Sequence, residues 1–269
     1  MSSELRVEGL TYAYPKASGN ILDQVSFSAE CGVVTALIGA NGTGKSTLLK
    51  TMLDIYHGRG TVFFSDVNRD HMSRRERSRI VSYMAQENPL MTSLPVLDVV
   101  LLGRMETLRL KVSEEDIEQA WKVLELLHLD GLAERPFYAL SGGQRRMVGI
   151  AQTIVKEPQI LIMDEPTANL DVQKELEVLE LIRAYTKQRN IATLLTLHDL
   201  NMAARYADRL ILLHDGGIYC CGEPKQVLTE QHIQETYGIY AQVQVDADGI
   251  PLIHPVSSVQ KQAYCFERR

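Results

Sequence analysis

The sequence predicts an α/β fold in which a mainly parallel sheet, flanked by helices, carries an inserted helical lobe. Three stretches predict it. The apolar run VVTALI (Val33–Ile38) breaks into glycine-rich GANGTGKS, and Leu48, Leu49, Met52 and Leu53 follow at helical spacing. The run QILIMDEP (Gln159–Pro166) is continuously apolar up to two acids, as a strand covered on both faces reads. From about Asn88 to Tyr138 the strand signal fades. Ile117, Trp121, Leu124 and Leu127 or His128 recur there with helical periodicity.

Taken in order, LRVEGL and ILDQVSFSAE alternate apolar and polar residues and predict two strands around the loop YPKASGN. The buried strand Val33–Ile38, the glycine loop and its helix come next. GTVFFSD is a further short strand. SRRERSR (Ser73–Arg79), broken by Glu76, reads as a solvated helix face. RIVSYMAQ reads as a strand ending at Gln86. Ser113, followed by Glu114, Glu115 and Asp116, marks a helix start in the lobe. After QILIMDEP, a charged helix over 172–189, the strand IATLLTL, a helix over 199–206 and the strands RLILLH and GIYCCGE are expected. PKQVLTEQHIQETYG is helical, and QVQVDADGIPLIHP is a small β element.

The chemistry concentrates at three points. Glycines let a backbone curl with its N–H groups inward, and a helix N-terminus behind them adds partial positive charge. Gly39, Gly44, Lys45 and Ser46 fit the phosphate-loop spacing G-x-x-x-x-G-K-[ST], with Lys45 directed at the β- and γ-phosphates and the Ser46 hydroxyl at Mg²⁺. Asp164, at the end of an apolar strand, suits a carboxylate that organises the same Mg²⁺. Glu165, one residue further, suits a base for an attacking water. LSGGQ (Leu140–Gln144) is a second helix-opening nest, and one nucleotide does not require two, so its phosphate can belong to a neighbouring molecule.

Composition excludes other classes. The net charge of −6 and the lack of a basic stripe argue against nucleic acid as a partner. No apolar run approaches the ~20 residues that cross a bilayer. MSSELRVEGL lacks the regions of a signal peptide, so a cytosolic chain is expected. Cys31, Cys220, Cys221 and Cys265 fit reduced, mostly buried thiols, and the adjacent pair should point to opposite faces of a strand.

GANGTGKST, LSGGQRR, ILIMDEPTANLD and TLLTLHDL stand in the order and spacing of the ATP-binding cassette (ABC) ATPases, and the resemblance spans residues 4 to about 238. It implies a P-loop NTPase core with an antiparallel β subdomain over 1–240, a helical subdomain at about 88–140 and a small C-terminal extension over 241–269. It also implies a head-to-tail homodimer with each ATP between one chain's phosphate loop and the other's LSGGQ. Carried over by position, Gly39, Ala40, Asn41, Gly42, Thr43, Gly44, Lys45, Ser46 and Thr47 hold the phosphates, and Tyr14, or Tyr12 beside it, stacks on adenine. Ser46, Gln86 and Asp164 serve Mg²⁺. Glu165 polarises water, His198 senses the γ-phosphate, and Gln86 links the site to the helical lobe. Ser141, Gly142, Gly143 and Gln144 contact the partner's ATP, and Asp171 crosses the interface. TANLD in place of TSALD, and GGQRRMVGIAQTI after the signature, depart from the common pattern without disturbing these positions.

VLDVVLLGRM, LHDLNMAARYADRLILLHDGGI and GEPKQVLTEQHIQETYGI resemble the ATPases of importers for iron-siderophore, haem and cobalamin. That resemblance implies integral-membrane permease partners, a substrate-binding protein acting through them, and a site at the cytoplasmic face of the membrane. Leu90–Leu97 either receive the permease or only pack the lobe. An exporter or metal-ion importer subunit is the alternative reading, followed by an ABC ATPase outside transport.

Overall fold

A computed structural model describes residues 4–15, 18–86, 92–105 and 112–260. Along the chain, β1 (Leu5–Tyr12), β2 (Leu22–Ala29), β3 (Val34–Ile38) and α1 (Lys45–Met52) come first. β4 (Arg59–Phe64), β5 (Val67–Asn68), α2 (Arg74–Ile80) and β6 (Val81–Met84) follow. Three helices come next: α3 (Val96–Leu101), α4 (Glu114–Leu126) and α5 (Gly142–Ile154). The chain then alternates through β7 (Ile160–Met163), α6 (Val172–Arg189), β8 (Ala192–Thr196), α7 (Leu200–Tyr206), β9 (Arg209–His214) and β10 (Gly217–Gly222). It continues through α8 (Pro224–Val227), α9 (Glu230–Tyr237), β11 (Ile239–Val245) and β12 (Pro251–Ser258).

The main sheet has the order β10-β9-β3-β8-β7-β6. Every pairing in it is parallel except β9 with β10. β3, β7 and β8 are buried at every position, which is why their sequences are continuously apolar rather than alternating. A second, antiparallel sheet, β2-β1-β4-β5, closes over α1. Leu5, Val7, Leu10, Val62 and Phe64 of that sheet share an apolar cluster with Leu48, Leu49 and Met52 of the helix. The open ends of β3, β7 and β8 therefore lie side by side, each followed by a loop. This is the edge at which an α/β sheet presents ligand-binding loops.

Some boundaries differ from the expected ones. Arg79 and Ile80 belong to α2 rather than to the following strand, because the Ser73–Glu76 capping box starts a helix that runs to Ile80. In α4 the Ser113 cap stands as expected, but the buried stripe is Ala120, Val123, Leu124 and Leu127. Ile117 is 38% exposed, on a first turn whose Glu114 and Glu115 face solvent. The helical stretch 224–238 is divided: Leu228 leaves helical geometry and Thr229 caps a new helix through the His232 amide. The tail forms a β11–β12 hairpin whose Ile253 backbone exchanges two hydrogen bonds with Asn201 of α7. The thiols are not mostly buried as expected: Cys31 and Cys220 are half-buried and Cys221 is exposed, the adjacent pair lying on β10 at the edge of the main sheet. Cys265 lies outside the described residues.

The helical segments pack tightly enough to demand a glycine. A Cβ on Gly103 would sit 2.1 Å from the Gln152 carbonyl oxygen of α5. Beside it, Arg104 bonds the Val155 carbonyl at 3.1 Å and Asp116 at 2.8 Å, tying this turn to α5 and α4. Gly103→Ala should push the two backbones apart and lower unfolding free energy by about 1–3 kcal/mol, the usual overpacking cost. Urea unfolding of the variant checks this, and an unchanged midpoint would refute it.

Candidate functional site

β3 ends at Ile38 and the chain turns through Gly39–Gly44 into α1. Two glycines in this turn are required by geometry. Gly39 has φ 149°, and a Cβ there would lie 2.4 Å from the Leu213 carbonyl oxygen; Gly44 has φ 101° at the helix N-cap. The turn wraps the Lys45 side chain, which is 7% exposed. Its Nζ donates to the carbonyls of Gly39 at 2.8 Å and Ala40 at 3.0 Å. Burial pushes the Lys45 pKa down, against the pull of the nearby Glu165 and Asp164 carboxylates. Thr43 Oγ1 closes the turn onto the Ala40 carbonyl at 2.9 Å.

The tips of β7 and β8 supply the acids. Asp164 is 1% exposed, and its Oδ1 accepts from Thr196 Oγ1 at 2.8 Å. The same Thr196 oxygen accepts from the Glu165 amide at 2.7 Å, so one hydroxyl fixes both acids. Asp164 Oδ2 is buried with no hydrogen-bond partner among the described residues. Glu165 is held at φ 49°, a left-handed conformation that costs a non-glycine residue about 1 kcal/mol or more. That backbone turn aims its carboxylate back across the strand ends. Oε2 accepts from Gln86 Nε2 at 2.8 Å, and Oε1 lies 2.5 Å from His198 Nε2.

Lys45, Gln86, Glu165 and His198 share one cleft of about 360 Å³, lined also by Tyr14, Ile21, Asn41, Gly42, Gly44, Ser46 and Thr47, with Asp164 buried behind its wall. Tyr14, 40% exposed, bonds Thr47 Oγ1 at 2.9 Å through its hydroxyl. Tyr12 instead stacks on Tyr56 at 5.3 Å and packs against the apolar cluster under the β sheet. A larger cavity, about 620 Å³, opens between β6 and α5; it shares Gln86 with the first but holds neither Lys45 nor the acids.

Other predicted site residues lie apart from the Lys45 cleft. The Ser141 hydroxyl accepts from the Gln144 amide at 3.2 Å, and the Ser141 amide donates to Gln144 Oε1 at 3.0 Å, capping α5. Gly142 opens that helix and lines the larger cavity, with Gly143 next to it. Asp171 is exposed and caps α6 through the Lys174 amide at 2.9 Å. Of the Leu90–Leu97 segment, Leu90 and Met91 lie outside the described residues, Leu94 is exposed and Val96 is fully buried. Two residues go unnoticed in the sequence: Thr196, hidden in an apolar strand, and Arg146, one of two adjacent arginines.

The ABC transporter family's sequence profile matches residues 22–168. The chain belongs to that family. An uncharacterised ABC transporter ATP-binding protein of Methanocaldococcus jannaschii is 41% identical over 255 residues, covering 94% of this chain and 98% of that protein. The ferric enterobactin transport ATP-binding protein FepC of Escherichia coli is 33% identical, covering 94% of each. A solved metal-chelate type ABC transporter in an inward-facing conformation aligns with TM-score 0.78 at 28% identity, covering 96% of this chain and 98% of its own. This ABC protein is an ATP-hydrolysing subunit, and the cleft around Lys45 is the place in the fold where a phosphate loop meets ionisable strand-end groups. No helix among the described residues is long and apolar enough to cross a membrane.

Proposed function

We propose that this subunit powers membrane import of an iron chelate (siderophore), haem or cobalamin, from the cytoplasmic face of the membrane. Two copies bind ATP head to tail, and separate permease subunits carry the cargo delivered by a substrate-binding protein. The observation that carries the reading is the division of the phosphate-binding features. Lys45, Gln86, Glu165 and His198 converge on one cleft, while the capped nest at Ser141–Gln144 stands outside it. A second chain would bring its nest to this cleft, and Asp171 would then lie at the shared face. The cargo reading draws on the ferric enterobactin relative and the metal-chelate transporter. In this reading residues 1–240 form the ATPase domain, 88–140 its helical subdomain and 241–269 an extension.

Within the site, Gly39–Thr47 would cradle the phosphates and Tyr14 would stack on adenine: it lines the cleft and meets Tyr12 and Tyr56 only edge-on, whereas Tyr12 lies outside the lining with its ring stacked on Tyr56. The buried, unpartnered Asp164 Oδ2 fits a divalent cation, with the Ser46 hydroxyl and Gln86 as further oxygen ligands. Mg²⁺ bound there would neutralise phosphate charge. Glu165 orients and deprotonates the attacking water, and His198 and Gln86 hold its two carboxylate oxygens in place. ATP favours the closed dimer and hydrolysis removes that preference, so the permease alternates between states.

The test is purification of tagged Glu165→Gln protein from solubilised membranes with ATP and Mg²⁺, with co-purifying chains identified by mass spectrometry. A many-helix permease is the expected partner, and its kind identifies the cargo class. Recovery of soluble or nucleic-acid-associated partners alone would overturn the transport reading and leave the ATPase assignment standing.

A further inference from the structure

Arg146 sits in the second turn of α5, two residues beyond the Gln144 that completes the cap at its start. Its guanidinium reaches to the tips of β6 and β7. Nε donates to the Pro166 carbonyl at 3.1 Å. Nη1 donates to the Gln86 carbonyl at 2.6 Å and to that of Ala85 at 3.4 Å. Nη2 donates to the Asp164 carbonyl at 3.0 Å and to that of Glu165. An arginine has five N–H donors in a rigid fork, and here each meets a backbone carbonyl. Burial pushes the guanidinium pKa down, and the Glu165 and Asp164 charges oppose it.

The gripped carbonyls belong to the two backbones that carry Gln86 and Glu165, whose side chains bond each other at 2.8 Å. One side chain therefore sets the spacing between the acid and the amide that holds it. The Ser141–Gln144 nest opens the same helix, just ahead of Arg146. A helix moves as a rigid rod over so short a span, so a shift at its N-terminus reaches the fork less than two turns away.

We propose that Arg146 is a positioning residue that makes the alignment of Glu165 and Gln86 depend on the partner chain's ATP seated at Ser141–Gln144. This deepens the head-to-tail reading and rests on it. Each site would become competent only when its own chain has gripped the nucleotide of the other, so the two hydrolysis events are linked. Arg146 does not line the Lys45 cleft, so its loss should leave ATP binding intact and misplace the acid.

The test uses the full chain. Arg146→Met keeps the bulk of the stem and removes the fork. Its kcat should fall about 100-fold, the cost of a misplacement near 1 Å, with the KM for ATP nearly unchanged. Arg146→Lys keeps the charge but has no fork to span both strand tips, and should recover only a small part of the rate. Combined with Ser141→Ala, Arg146→Met should add little further loss, because both changes cut one line of transmission. The proposal is overturned by wild-type turnover in Arg146→Met, by a KM that rises as kcat falls, by full rescue with lysine, or by losses that simply multiply. ATP-dependent dimerisation of Glu165→Gln separates the two readings. With no such dimer both fail, whereas a dimer alongside normal Arg146→Met turnover sinks the positioning role alone.

Discussion

Glu165→Gln should bind ATP, form a stable dimer and hydrolyse at about one-hundredth to one-ten-thousandth of the wild-type rate, the range a general base contributes. The size of the effect follows from the geometry. Glutamine has the shape of glutamate, so the backbone at φ 49° and its bond to Thr196 need not change. The bond from Gln86 has an oxygen still to meet. What is lost is the charge facing His198 at 2.5 Å, and with it the capacity to take a proton from water. Nothing in the change touches Lys45 or the glycine turn, so nucleotide affinity should stay close to wild type. Phosphate release and size-exclusion chromatography with and without ATP measure the two halves separately. Normal turnover would remove Glu165 from the base role, and loss of ATP binding would show that it supports the cleft rather than the chemistry.

The parts of this site legible in the sequence are those whose function is a backbone shape. A phosphate loop needs glycines at fixed offsets and a helix directly behind, so Gly39, Gly44 and Lys45 stand out within one short segment. The acids stand out for a similar reason, since a charged pair after four buried strand residues breaks the pattern. Thr196 and Arg146 do not stand out. Thr196 bonds Asp164 from 32 residues away, and a threonine in a strand needs no explanation. Arg146 reaches Gln86 from 60 residues away, and two arginines on a helix read as surface charge. Their roles arise from the parallel register that sets β7 between β6 and β8, which periodicity does not specify. The same limit explains Ile117: spacing places it on the apolar face of α4, but only the packing against α3 and α5 decides where that face ends.

Lys45→Ala should separate binding from folding. Lys45 is 7% exposed, and burial lowers its pKa, so the protein holds this charge at a cost. The Gly39 and Ala40 carbonyls offset part of that cost, and Thr43 still bonds Ala40 when the lysine is gone. Alanine is also the best helix former, at the first position of α1. The variant should therefore melt near the wild-type temperature without nucleotide. The sign of the pH effect follows. A lysine whose folded pKa is depressed penalises the folded state below that pKa, and the penalty lifts as pH rises into the ordinary lysine range. The wild type should gain stability with alkaline pH there, and Lys45→Ala should not. Binding behaves oppositely. A hydrogen bond to a charged group contributes about 1.5–3 kcal/mol, and each 1.4 kcal/mol is about tenfold, so ATP affinity should fall about 10- to 150-fold. Nucleotide titration of the folded variant measures this directly. Undiminished affinity would mean that the glycine turn and the α1 amides hold the phosphates without the lysine, and that Lys45 serves the turn alone.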